Sequence, residues 1–135
     1  LCTVITPNTP ELNTLTGIES QQHAAVSLSK QGPSVLITGG HSRDLKSNTL
    51  DNQLFLGRTQ SGQQQPAHTW TIPLVEGEFR GTGCTFASAI AGYMAQGFTL
   101  DKSIEQAQIF MLHTLTKAYT LRSGQQIPNR STVTL

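Results

Sequence analysis

Three consecutive apolar residues, Val35, Leu36 and Ile37, lie between a Gly32-Pro33 break and a Gly39-Gly40 pair. A strand with one face in water alternates apolar and polar side chains, because successive residues point to opposite faces. An uninterrupted apolar run therefore predicts a strand covered on both faces, the condition met in layered α/β sheets. The preceding sequence fits that architecture. Leu1 to Thr6 is apolar and β-branched and stops at Pro7, which reads as a strand followed by a turn. Pro10 then stands where a first helical turn begins, with Glu11 beside it and Gly17 closing it. Ser20 caps a second helical pattern through Ala24, Ala25, Leu28 and Lys30, and Gly32-Pro33 ends it.

After Gly40 the segment from His41 to Asn48 is polar and reads as a loop. Leu54, Phe55 and Leu56, a Gly- and Gln-rich turn from Thr59 to Gln65, and His68 to Leu74 read as a hairpin. Pro66 and Pro73 flank its second strand, which places that strand at a sheet edge. Gly81-Thr82-Gly83 opens a helix containing Ala87, Ile90, Ala91 and Met94, and Gly97 ends it. A last helix from about Asp101 spaces Ile104, Ala107, Met111, Leu115 and Ala118 along one face. The tail after Gly124 is polar and reads as frayed. Strands and helices alternate, so the class is α/β. With no internal repeat and no long linker, residues 1–135 read as a single domain.

Composition narrows the function. Hydrophobic residues make up 36% and charged residues 13%, with a net charge of +1 spread along the chain. No basic stripe points to nucleic acid, and no apolar run reaches the length a bilayer needs, so a small molecule is the expected partner. The apolar opening lacks a charged leader and a cleavage site, so the Asn129-Arg130-Ser131 sequon reads as chance. Cys2 and Cys84 form no metal-binding pattern and read as free thiols in a reducing cytoplasm. No two histidines have ligand spacing on one helix face, which argues against zinc. Trp70, in a strand, reads as packing rather than a base-stacking platform. The chain begins at Leu1 and enters a strand at once, as a fragment does.

Three segments carry possible chemistry. Gly81-Thr82-Gly83-Cys84-Thr85 leads into a helix of small residues. There, glycines let several N–H groups approach an anion, and the helix N-terminus adds favourable partial charge. A thiol in the first turn of that helix is a candidate base. The competing reading is a Gly-rich helix start with a small buried cysteine. Thr6-Pro7-Asn8-Thr9-Pro10-Glu11 sets an amide and a carboxylate three residues apart just after a strand. They suit Mg²⁺ held through water, or else an ordinary turn with Glu11 in the first helical turn. Thr38-Gly39-Gly40-His41 ends the buried strand in a position suited to phosphate, or is simply its turn.

In this order the three segments resemble the ribokinase superfamily, and Gly-Thr-Gly-Cys-Thr resembles its hydroxymethylpyrimidine/phosphomethylpyrimidine kinase branch. The resemblance covers nearly the whole chain. It implies the C-terminal half of a three-layer, Rossmann-like fold, with part of the central sheet and two terminal helices. It also implies transfer of the ATP γ-phosphoryl, with Mg²⁺, to hydroxymethylpyrimidine or its phosphate in thiamine biosynthesis. By resemblance Cys84 is the base position, and the N–H groups of Gly81, Thr82 and Gly83 form the anion hole. Asn8 and Glu11 position metal and phosphate, while Thr38, Gly39, Gly40 and Arg80 lie on the nucleotide side. Two positions depart from the branch: Arg80 replaces a common His, and Thr38 replaces a Lys, as in pyridoxal kinases. Pyridoxal kinase is thus the nearest alternative, and a non-catalytic remnant binding nucleotide or a partner is the alternative of another class. The family's first half, with its acceptor pocket, is not in these residues, so a homodimer or association with that half is expected.

Overall fold

The computed structural model describes residues 2–40, 48–58, 64–122 and 124–132, and they divide into two compact units, Leu1–Leu74 and Val75–Leu135. In the first unit the order is β1 (Val4–Ile5), α1 (Thr9–Thr16), α2 (Gln21–Ser29), β2 (Ser34–Gly40), β3 (Thr49–Phe55) and β4 (His68–Pro73). The sheet runs β1-β2-β3-β4. The first pair is parallel and the other two are antiparallel.

Val35, Leu36 and Ile37 are all fully enclosed, as their uninterrupted apolar run requires. Val35 and Ile37 share a core with Phe55 of β3 and with Leu12, Ala24 and Ala25 of the two helices. Each such large side chain contributes on the order of 2 kcal/mol when buried. Leu36 pairs with Leu54, and both are equally enclosed. The hairpin is present, with β4 at the end of the strand order, but β3 starts at Thr49, ahead of the expected Leu54. Its polar residues Asp51 and Gln53 pair with both β2 and β4, and Asn52 pairs with β4, so backbone pairing rather than apolar content makes this stretch a strand. The expected loop around His41 and most of the Gln-rich turn lie outside the described residues. Gly57, just after β3, is fixed by crowding: a Cβ there would meet the Gly32 carbonyl oxygen at 2.2 Å.

The second unit is a helical hairpin, α3 (Thr82–Ala95) and α4 (Leu100–Thr116), followed by β5 (Tyr119–Thr120), β6 (Gln126–Ile127) and a 3-10 turn, Arg130–Thr132. Phe86 and Ile90 of α3 are buried, as are Ile104, Ala107 and Met111 of α4, which matches the expected apolar spacing of the last helix. Helix α4 ends at Thr116, short of Ala118. The tail is not frayed where it is described. Residues of β6 pair with β5, Gln126 N–H donates to the Glu78 carbonyl at 2.7 Å, and Asn129 N–H donates to that of Thr114 at 2.9 Å. Its polar side chains concealed this, since these bonds are made by the backbone.

Candidate functional site

In the first unit, the parallel pairing of β1 and β2 sets their carboxyl ends side by side, where open α/β sheets bind ligands. Two of the expected segments meet there. Thr38 N–H donates to the Pro7 carbonyl at 3.2 Å, and its hydroxyl lies 3.5 Å from the same oxygen. Asn8 is the N-cap of α1, and its side-chain oxygen accepts from Glu11 N–H at 2.9 Å. Glu11 Oε2 accepts from Asn8 N–H at 3.0 Å in return, which completes a capping box. The local structural role of both residues is therefore real. Oε1 of Glu11 lies outside that box, and Glu11 lines a shallow groove with Ile5, Thr6, Pro7 and Thr14.

Among the described residues no three acidic, His or Cys side chains cluster as a metal cage. One carboxylate and one amide nonetheless suit Mg²⁺, which keeps most of its waters and takes further ligands from phosphates. Gly39 has φ 68° at a register shift in the β2–β3 pairing, a conformation glycine adopts without strain. Its N–H donates to Asn52 Oδ1 at 3.1 Å. Gly40 ends β2, and His41 of the expected Gly-Gly-His segment lies outside the described residues.

In the second unit, Gly81 is the N-cap of α3 in the left-handed region, φ 81°, and no side chain caps the helix. The first N–H groups of an α-helix have no partner within it, so Thr82, Gly83 and Cys84 present donors at a positive helix end. Gly83 and Cys84 are exposed, and a Cβ on Gly83 would meet nothing within 4 Å. Backbone donors here are open to an incoming anion. Cys84 is a free thiol and lines a cavity of about 330 Å³ with Thr85, Ser88, Tyr93, Phe110 and Arg130. Cys84 is therefore not the small buried cysteine of the competing reading. Arg80 is exposed just before the turn, and its backbone N–H is held by the Gln126 carbonyl at 2.9 Å.

One residue escaped the sequence reading. Arg130 Nε donates to Thr85 Oγ1 at 3.0 Å, and Thr85 Oγ1 donates to the Gly81 carbonyl at 2.7 Å. The contact spans 45 positions in sequence, and nothing near Arg130 in the chain announces it.

The family described as phosphomethylpyrimidine kinase matches residues 1–129. The chain is 36% identical over 136 aligned residues to a hydroxymethylpyrimidine/phosphomethylpyrimidine kinase of Haemophilus influenzae, covering 93% of this chain and 46% of that protein. It is 37% identical over 131 residues to the thiamine biosynthesis bifunctional protein ThiED of Geobacter sulfurreducens, covering 92% and 25% respectively. Among solved structures, an ADP complex of Bacillus subtilis pyridoxal kinase superposes with a TM-score of 0.73 at 26% identity, covering 96% of this chain and 48% of that one. The chain thus spans half or less of the length of each of these relatives. The α/β, ribokinase-like fold is that of these kinases.

Proposed function

The chain belongs to the phosphomethylpyrimidine kinase family, and from that premise we propose that it carries the phosphotransfer end of an ATP-dependent kinase. The acceptor in this reading is hydroxymethylpyrimidine or its monophosphate, in thiamine biosynthesis. The observation that carries it is the start of α3: an uncapped helix end entered through a left-handed Gly81, with an exposed thiol in its first turn. Donors fixed before the reaction lower the barrier because charge develops where they already point. The N–H groups of the Gly81–Cys84 turn hold the transferring phosphoryl, and Cys84 accepts the proton of an acceptor hydroxyl. A phosphate acceptor is already an anion near neutral pH and asks less of that base.

Asn8 and Glu11 would hold Mg²⁺, which would supply charge neutralisation to the nucleotide phosphates. Within the first unit, Thr38, Gly39 and Gly40 are assigned to nucleotide binding; in the second, the Arg80 guanidinium is suited to phosphate oxygens. Two free thiols fit the cytoplasmic location we assign to it. The acceptor pocket belongs to the half of the relatives this chain does not span, so another segment or a separate chain supplies it.

Thr38 favours one second reading, a pyridoxal acceptor, because a hydroxyl replaces the cation that pyrimidine kinases carry there. A coupled ADP-release assay on the full-length protein, with MgATP and each acceptor in turn, decides between them. Turnover of the pyrimidine at least tenfold above that of pyridoxal is expected. The reverse preference moves the assignment to pyridoxal, and nucleotide binding without turnover of either makes the chain a non-catalytic remnant.

A further inference from the structure

We propose that Arg130 is a positioning residue for phosphoryl transfer, acting through Thr85 on the Gly81 turn; this rests on the reading of that turn as the anion hole. The polarity of the relay is fixed. Thr85 has a single hydroxyl proton, and it goes to the Gly81 carbonyl at 2.7 Å. Its lone pairs are therefore free to accept, and Arg130 Nε–H fills one at 3.0 Å. The same Gly81 oxygen also accepts from Thr85 N–H at 3.1 Å. A trans peptide is planar, so turning the Gly81 carbonyl towards Thr85 points the N–H of Thr82 the opposite way. The relay thus sets the direction of an anion-hole donor without touching the anion.

Two further facts favour a role beyond tethering the tail. The guanidinium lies against the turn itself, with Nη2 3.3 Å from where a Cβ on Gly81 would sit. A cation at a helix N-terminus is opposed by the helix dipole, and among the described residues no carboxylate pairs with Arg130. An anion held at the turn relieves that opposition, whereas a tether needs no charge. The tail is braced just before this contact, independently of Arg130, by the Asn129–Thr114 and Gln126–Glu78 backbone bonds.

The test is a mutant cycle in the full-length protein. R130Q and T85V are each expected to lower kcat about 10- to 100-fold, with KM for ATP changed less than about threefold, the scale of a misdirected rather than deleted donor. The double variant is no worse than either single one, T85S recovers most of the T85V loss, and R130K stays impaired because it lacks the Nε donor. Losses that multiply, or kcat unchanged with only a lower Tm, overturn the relay. If the unaltered protein phosphorylates neither acceptor, the functional reading fails, and the relay is judged by titrating inorganic phosphate into ¹⁵N-labelled protein. Amide shifts at Gly81, Thr82 and Gly83 that vanish in R130Q and T85V support it. Equal shifts in all three proteins, or none in the unaltered one, overturn it.

Discussion

Cys84 stands in the first turn of α3, exposed and free, beside open backbone donors. If it takes the proton in the transfer step, Cys84→Ala removes a general base and lowers kcat by about 100-fold or more. The affinity for MgATP, measured by calorimetry, stays within about twofold because the backbone donors remain. Unchanged turnover in that variant ends its assignment as base. This part of the site was legible in the sequence, because glycine, threonine and cysteine were contiguous and the helix start was local. Arg130 was not legible. Its partners Thr85 and Gly81 lie far away in sequence, and only folding of the tail brings them together. Thr38 falls between these cases: its place at the end of a buried strand could be read, but not its direct contact with the Pro7 carbonyl.

At the scale of elements, α1 shows a segment with two jobs. Asn8 and Glu11 complete a capping box, which gives these residue types a structural reason to be there, and the same side chains are the proposed Mg²⁺ positions. The two roles separate by substitution. Asn8→Ala costs about 1 kcal/mol by losing the cap, whereas Asn8→Ser keeps it to within about 0.5 kcal/mol, because serine caps nearly as well. Thermal melts check that difference. If Asn8 also holds hydrated Mg²⁺, Asn8→Ser raises the Mg²⁺ concentration needed for half-maximal turnover at least threefold; an unchanged Mg²⁺ dependence leaves Asn8 as a cap alone. Periodicity and turn residues foretold α1, α2 and the helical hairpin. They missed Thr49 to Gln53 of β3 and the whole of β5 and β6, where mostly polar side chains sit on paired backbone. Backbone pairing leaves no mark on composition.

The whole chain combines a mixed sheet backed by two helices with a helical hairpin that opens on an uncapped, Gly-rich turn. It spans half or less of the length of the relatives it matches. The roles proposed for residues within that span concern the nucleotide and the transferring phosphate, which sets the most direct test. Calorimetric titration of MgATP into the protein is predicted to give saturable binding with a stoichiometry near one. The same ligand raises Tm, since at a concentration 100 times Kd it stabilises the folded state by about 2.7 kcal/mol. No saturable heat and no shift in Tm with MgATP or MgADP would contradict the account at its centre, leaving the family fold without the nucleotide chemistry assigned to it.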